Sequence, residues 1–448
     1  METAVENKPI PNQRWLRIIP PTIVVYIVAY MDRMNIGFAM AGGMNEALHI
    51  SMTIAGLAAG IFFFGYMVLQ IPGGHMAEHG SAKKFIAWTI IAWGGISTLT
   101  GLAQNEWQLL TMRFLLGVAE GGLWPAILVI IGNWFPAKEV GRANAFFMSN
   151  LAVSAIITNP LSGWIIAHFS WRYVFILEGL VSIALLFVWM PLISDRPEQA
   201  KWISAEEKEY LVNTLRQERE ALLNNRNAPP RVSYKELLAS KDCWMMILIY
   251  FCYANGQYGF LLWLPTIIKH LTKMGMTNVG LLSAIPYLTG LLGLYVFAVF
   301  SDRSLNRRFH TAVTQFGFGI SFFLATQFPR HVWLSYFLLV VTGLFTKAVS
   351  SNFWTIPPLL FPPGVAGGAR GIINAIGNLG GFLGPFLVGW IGTLFGMSAG
   401  IGALVFFLMA GGILTLFLPG VTAGKNPLPK SAAVAHGIKS RPENMKTG

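Results

Sequence analysis

The chain has 448 residues, of which 54% are hydrophobic and only 12% charged, and it contains 32 Phe and 15 Trp. A soluble domain of average usage carries about 25% charged residues, so this composition excludes a soluble globular protein and indicates a polytopic membrane protein. The formal charge of +12 would suit a nucleic-acid partner, but the Lys and Arg residues fall in the gaps between apolar runs and form no single basic face. We therefore exclude nucleic-acid binding.

Twelve apolar runs of about 18 residues or more predict twelve membrane-spanning helices. They lie near residues 17–40, 53–76, 84–103, 107–132, 143–168, 172–193, 243–268, 277–300, 310–328, 332–360, 370–396 and 399–419. An even number of spans puts both termini on one side. The short loops on that side carry most of the Lys and Arg residues, which assigns both termini to the cytoplasm. The predicted location is the inner membrane of the cell.

The first span contains Asp32 and Arg33 inside a stretch that is otherwise apolar from Ile18 to Met40. At about 1.5 Å of rise per residue, Asp32 lies about 20 Å from the start of the helix and well inside a hydrocarbon core of about 30 Å. An ionisable residue at that depth costs at least about 2.5–3.5 kcal/mol unless it faces a partner or a water-filled cavity. The pair is interpreted as functional. The alternative is a pair near the outer headgroups that sets the rotation of the helix.

One long polar segment divides the spans six and six. The predicted division is a cytoplasmic N-terminal segment 1–16, an N-terminal six-helix bundle 17–193, a cytoplasmic linker 194–242, a C-terminal six-helix bundle 243–420 and a cytoplasmic tail 421–448. The halves look like diverged copies, because Arg142 precedes Asn150 by eight residues just as Arg370 precedes Asn378. Such a duplication is typical of secondary transporters, in which two halves rock about a site near the membrane midplane.

Two loops and three further segments carry a family resemblance. The loops are Gly74-His-Met-Ala-Glu78 followed by Lys83-Lys84, and Ser301-Asp302-Arg303 followed by Arg307-Arg308. They resemble the acidic/basic gating motif of the major facilitator superfamily, with Glu78 where Asp is usual. The segments are Asp32-Arg33-x-Asn35-Ile-Gly37-Phe-Ala39, Arg113-x6-Glu120-Gly121 and Asp195-x-Pro197-Glu-Gln-Ala200-Lys-Trp202. They resemble the anion:cation symporter family, and within it bacterial permeases for sugar acids and other small carboxylates.

This resemblance implies an all-α membrane protein with twelve transmembrane helices in two pseudo-symmetric six-helix bundles. It also implies uptake of an organic anion together with protons, and gating roles for Glu78, Asp302 and Arg303.

Arg113 and Glu120 are seven residues apart on one face of span 4 and bracket the level of Asp32. A buried carboxylate has its pKa raised by desolvation and lowered by a nearby guanidinium, so moving the cation switches proton affinity. Asp32 and Glu120 are therefore the predicted proton carriers, as the resemblance also implies, and Arg113 is their charge partner. Glu120 as a permanently ionised partner of Arg113 stays an alternative. Arg33 is predicted to bind the substrate carboxylate, because a planar guanidinium binds it with two parallel hydrogen bonds. Arg33 is also expected to stabilise the Asp32 carboxylate, so that Asp32 takes up a proton more readily when the anion occupies Arg33.

Five further residues are predicted to contact substrate. Tyr30 and Tyr66 could donate hydrogen bonds, although aromatic residues in spans are also common packing residues. Asn150 and Asn378 are buried amides that need a neighbouring helix or a ligand as partner. Lys347, in the middle of span 10, is predicted as a second anion contact suited to a dicarboxylate; snorkelling, or pairing with an acid of span 4 or 5, stays open.

Glu178 is interpreted as a structural residue beside Arg172, and Cys243 and Cys252 as packing residues. No nucleotide-binding loop, catalytic triad or convincing metal site is present in the sequence, so neither an enzyme nor a cofactor is expected. The predicted function is proton-coupled import of a small organic anion by alternating access, performed by a monomer in the lipid bilayer. A proton-driven exporter of the same fold and a non-transporting membrane sensor are the alternatives.

Overall fold

The computed structural model describes residues 12–224, 234–361 and 363–419. The predicted tail 421–448 and most of the predicted segment 1–16 lie outside these residues. Within them the chain forms helices and turns and no strand, which confirms the all-α class.

Six long helices form the first half of the chain. They are α1 (Gln13–Ala41), α2 (Met52–His79), α3 (Ala82–Thr100), α4 (Glu106–Gly121 and Leu123–Trp134), α5 (Ala137–Met148 and Asn150–His168) and α6 (Trp171–Ala184 and Leu186–Leu192). Linker helices Ala205–Asn224 and Tyr234–Ala239 follow. The second half comprises α7 (Lys241–Thr272), α8 (Met276–Ser304), α9 (Arg307–Gln327), α10 (Val332–Phe353), α11 (Pro363–Gly377 and Gly380–Phe395) and α12 (Met397–Leu416).

Polar residues at the loop boundaries start several of these helices. The side chains of Ser51, Ser81, Asn105, Ser240 and Asn306 each accept a hydrogen bond from a backbone N–H three residues further on. These caps satisfy N–H groups that have no partner within the helix. The apolar runs identified in the sequence therefore become helices with defined starts at the membrane boundaries.

Ten of the helical segments in the described residues are long and apolar enough to cross a membrane. The two that fall short are α3, which carries Lys83 and Lys84 in its first turn, and α9, which begins with Arg307 and Arg308. Both nevertheless pack within the bundles, α3 against α6 and α9 against α12. They complete the twelve-helix arrangement.

The two halves repeat the same packing. In the first half α2 packs on α4, α3 on α6 and α1 on α5, and in the second half α8 packs on α10, α9 on α12 and α7 on α11. Adding six to each helix number converts one set into the other. The predicted pseudo-symmetry of the two six-helix bundles is therefore confirmed.

The bundles meet where α2 packs on α11, α5 on α8 and α1 on α7. The loops define two faces of the molecule: the linker face carries residues 193–224 and 234–240, and the opposite face carries residues 42–51 and 273–275. Near the opposite face the backbones approach closely. A Cβ atom on Gly60 would lie 2.5 Å from the carbonyl oxygen of Phe382, and one on Gly37 would lie 2.5 Å from that of Leu262. Lys269 also donates to the carbonyl oxygen of Ala41 at 2.6 Å.

Gly60→Ala is expected to lower the melting temperature of the purified protein by several degrees. The added methyl group would overlap the backbone of α11, and overpacking of this kind costs about 1–3 kcal/mol. Gly95→Ala on α3 is the matched control, because a Cβ there meets no atom within 4 Å. Equal melting temperatures for the two variants would contradict the close α2–α11 contact.

Candidate functional site

Helices α1 and α4 bring a buried ion pair together inside the N-terminal bundle. Arg33 Nη2 lies 3.1 Å from Glu120 Oε2, and the two side chains are only 7% and 0% exposed. Residues 87 positions apart in the sequence are thereby joined. A buried pair of this kind is costly to separate, because each charge left alone would lack solvation.

Aromatic rings surround the guanidinium of Arg33. Its Cζ lies 5.5 Å from the ring centre of Tyr30, 5.0 Å from Phe62 and 4.8 Å from Tyr66. Tyr258, from α7 of the other bundle, also lies beside it. The rings of Tyr30, Phe62 and Tyr66 stabilise the cation through their faces, and the Tyr258 side chain hydrogen-bonds to the guanidinium. We refer to Arg33, Glu120 and these four aromatic residues as the arginine cage.

The arginine cage has unused hydrogen-bonding capacity. Arg33 Nε and Glu120 Oε1 are both buried, and neither hydrogen-bonds to a described residue. Buried polar atoms are nearly always hydrogen-bonded in native structures, so a ligand or water is expected to complete this site. A carboxylate would supply the acceptor that Arg33 lacks.

Asp32 points away from the arginine cage. Its Oδ1 accepts hydrogen bonds from Ser97 and from Asn35 Nδ2, and its Oδ2 accepts from Ser182 Oγ at 3.1 Å. The predicted stabilisation of the Asp32 carboxylate by Arg33 is therefore wrong. Successive residues of a helix point in different directions, and here they face different helices.

Arg113 does not pair with Glu120 either. Its Nε donates to the carbonyl oxygen of Ala58 at 3.3 Å, and its Nη1 donates to the backbone carbonyl of Asp32 at 3.1 Å. The alternative of a permanent Arg113–Glu120 pair is thus not what the structure shows. Arg113 joins α4 to α1 and α2 through backbone carbonyls and places its positive charge behind the arginine cage.

In the C-terminal bundle, Asn378 lies at the break between the two segments of α11. Its Nδ2 donates to Asn374 Oδ1 at 3.1 Å, and Tyr250 donates to the same oxygen at 3.4 Å. Asn378 Oδ1 is buried without a described partner. Lys347 on α10 is partly buried beside Gly290 of α8, and no described acid forms an ion pair with it. Pairing of Lys347 with an acid of span 4 or 5 is therefore not observed.

The remaining predicted residues lie apart from the arginine cage. Asn150 starts the second segment of α5, where its Nδ2 donates to the Phe147 carbonyl. Glu78 and Arg303 are exposed at the linker face, and Asp302 pairs with Arg307 at 2.5 Å. Within the described ranges, no group of three or more His, Cys, Asp or Glu side chains could hold a metal ion.

The family model of the major facilitator superfamily matches residues 22–277 and 248–442 of this sequence. The chain belongs to the major facilitator superfamily. The resemblance found in the sequence is thereby confirmed, and the protein is a multi-pass membrane transport protein and not an enzyme.

Relatives of this superfamily member carry different names. A protein of Agrobacterium vitis named as a tartrate transporter is 32% identical over 414 residues, which cover 90% of this chain and 93% of the relative. A quinolone resistance transporter of Acinetobacter baumannii is 31% identical, with 89% and 92% covered. The fold is also similar to the crystal structure of a bacterial homologue of the human lysosomal transporter Spinster in an inward-facing, unoccupied conformation. The match covers 91% of this chain and 97% of the homologue, with a TM-score of 0.77 and 15% sequence identity.

Sequence reasoning missed part of the polar interior of this transporter. Glu178 forms no described ion pair with Arg172, whose guanidinium donates instead to the carbonyl oxygens of Gly101 and Ala103. Glu178 accepts hydrogen bonds from Asn35 and Ser162. The only available signal was Asn35, which lies one helical turn after Asp32 and so on the same face of α1.

Proposed function

We propose that this protein imports a small organic anion, a sugar acid or related carboxylate, together with protons by alternating access across the inner membrane. The observation that carries the proposal is the buried Arg33–Glu120 pair with unused hydrogen-bonding atoms on both partners. The relative named as a tartrate transporter supports the substrate class. The positive-inside distribution of Lys and Arg supports a cytoplasmic linker face.

The Arg33–Glu120 pair offers a direct means of coupling. A substrate carboxylate that binds Arg33 competes with Glu120 for the guanidinium, since both are anionic acceptors for the same donors. Glu120 then becomes a buried carboxylate without a cation, which is costly, and it takes up a proton. Substrate and proton therefore bind together, and the charge of the cage is the same before and after loading.

Alternating access requires the bundles to separate at the opposite face. There α1 meets α7 and α2 meets α11 through close backbone contacts at Gly37 and Gly60. Lys269 adds a hydrogen bond across the interface to Ala41. Opening on that side breaks these contacts and exposes the arginine cage to the outside.

The test uses full-length protein in proteoliposomes with an acidic exterior and labelled tartrate, galactarate, phthalate and 4-hydroxyphenylacetate. We expect uphill accumulation of at least one of these anions, abolished by a protonophore. If all four fail to accumulate, or if accumulation does not depend on the pH gradient, the proposal is wrong.

A proton-driven exporter is the second candidate, because one relative is named for quinolone resistance. Uptake into the vesicles and a resistance assay in cells separate the two functions. Import predicts that the substrate accumulates when the acidic solution and the substrate are both on the side of the opposite face. Export predicts that resistance to quinolones, and not growth on a carboxylate, follows expression in a sensitive strain.

Lys347→Gln is expected to weaken tartrate binding by about tenfold or more, because a hydrogen bond to a charged group contributes about 1.5–3 kcal/mol. Lactate, with a single carboxylate, should bind wild type and variant alike, and Lys273→Gln at the opposite face is the control. Isothermal titration calorimetry measures the affinities for tartrate and for lactate. Unchanged tartrate affinity would remove Lys347 from the site.

Tyr30, Tyr66, Asn150 and Asn378 stay predicted contacts.

A further inference from the structure

A second polar cluster lies behind the arginine cage, inside the N-terminal bundle. It contains six side chains from four helices, each at most 2% exposed: Asp32, Asn35, Ser97, Ser162, Glu178 and Ser182. We refer to it as the Asp32–Glu178 cluster. Neither the predicted transport site nor the superfamily match assigns a role to Glu178.

One amide joins the two acids of the cluster. Asn35 Nδ2 donates to Asp32 Oδ1 at 3.3 Å and to Glu178 Oε2 at 3.1 Å. The two carboxyl groups therefore lie on either side of a single nitrogen atom. Ser162 donates to the other oxygen of Glu178 at 3.1 Å, so both of its oxygens have one described donor.

Neither acid has an ion-pair partner among the described residues. Among the described residues, no Arg, Lys or His side chain forms an ion pair or hydrogen bond with either carboxyl group. The guanidinium of Arg113, on α4, is close enough for its charge to act on Asp32, but its hydrogen bond goes to the backbone carbonyl of Asp32 and not to the carboxyl group. Helices α3 and α5 contribute hydroxyl groups only, and Arg33 pairs with Glu120 on the other side of α1. Two ionised carboxylates this close and this deeply buried repel each other and are poorly solvated.

The two hydroxyl groups around Asp32 suit both of its protonation states. Ser97 lies within hydrogen-bonding distance of Asp32 and of the Phe175 carbonyl, and Ser182 lies near Asp32 and the Glu178 carbonyl. A hydroxyl group has one proton and can also accept. Each Ser can donate to an ionised Asp32, or turn to the carbonyl and accept from a protonated one.

We propose that Asp32 and Glu178 hold one proton between them, so that Glu178 is a third protonatable group of the transporter. One carboxyl group is then the acid and the other the carboxylate, and the pair carries a single negative charge. A second proton makes the pair neutral. The negative charge of Glu178 also strengthens the hold of Asp32 on its proton. This last role in coupling rests on the proposed function, whereas the shared proton does not.

Infrared spectroscopy of purified full-length protein tests the shared proton without any substrate. At neutral pH the wild type should show a C=O band from protonated carboxylic acids. In the Asp32→Asn/Glu178→Gln double variant this band should be weaker by the intensity of one carboxylic acid group. Melting temperatures establish that both proteins are folded. A band of equal intensity in wild type and double variant would overturn the proposal.

The pH profile of tartrate uptake tests the role of Glu178 and serves also if the double variant does not fold. Glu178→Gln should move the pH of half-maximal uptake to lower values by about one unit, because Asp32 loses a negative neighbour. Glu46→Gln, an exposed acid at the opposite face, should leave the profile unchanged. An unshifted Glu178→Gln profile contradicts the role. Absence of pH-driven uptake in the wild type contradicts the proposed function instead, and the infrared result still decides the shared proton.

Discussion

Glu120→Gln is expected to abolish accumulation of tartrate against its gradient while leaving exchange of labelled for unlabelled tartrate largely intact. The variant keeps the size of the side chain and an oxygen acceptor for Arg33, but it can neither carry the negative charge nor bind a transported proton. Substrate can therefore still bind Arg33, and the bundles can still rock, without a linked proton. We expect uphill uptake to fall by about a hundredfold, to the level of empty vesicles, because the pH gradient is then no longer coupled to movement of the substrate.

The measurement is paired uptake and counterflow in the same preparation of proteoliposomes. Glu106→Gln is the matched control, since Glu106 lies in the first turn of the same helix, α4, and forms no described ion pair. It should behave as wild type in both assays. Wild-type accumulation by Glu120→Gln under a pH gradient would remove Glu120 from the proton path.

Arg33→Lys is expected to weaken tartrate binding by about tenfold to a hundredfold, and Arg33→Gln to remove it. Lysine keeps the charge but lacks the planar fork that binds a carboxylate through two parallel hydrogen bonds, and its compact ammonium packs poorly between the faces of Phe62 and Tyr66. The interaction with Glu120 also changes, because the pair at 3.1 Å depends on the reach of the guanidinium.

Thermal-shift titration with tartrate gives the affinities. Arg17→Lys is the control on the same helix, because Arg17 is exposed near the linker face. Its affinity should equal that of the wild type. If Arg33→Lys also binds tartrate as the wild type does, the carboxylate is bound elsewhere, and the arginine cage is a structural feature.

The proposed competition of Glu120 and the substrate for Arg33 differs from the coupling predicted from the sequence. Adjacent positions in the sequence suggested that Arg33 stabilises Asp32. In the structure Arg33 pairs with Glu120, and Asp32 accepts hydrogen bonds from hydroxyl and amide groups. The transporter therefore has two separate acidic centres within one bundle. Inner-membrane location, the monomeric state and the direction of transport stay predictions.

Much of the architecture follows from the sequence alone. Apolar runs long enough to cross a bilayer can only be helices there, because unpaired backbone groups are not tolerated in lipid. The repeated spacing from Arg142 to Asn150 and from Arg370 to Asn378 indicated two related bundles, and the packing of α1–α6 repeats in α7–α12. Burial of Asp32, Arg33 and Glu120 was likewise predictable, since charges inside an apolar run must face the protein interior.

The partners of those charges were decided only by the tertiary structure. A helical period places residues on a face, but it does not say which of several neighbouring helices that face meets. Glu120 and Arg33 are joined because α4 lies beside α1 with the correct rotation, and Glu178 reaches Asn35 because α6 packs on α1. Helix rotation and neighbour choice depend on packing summed over the whole bundle, so the sequence determined which residues are charged and buried, and the fold determined which of them meet.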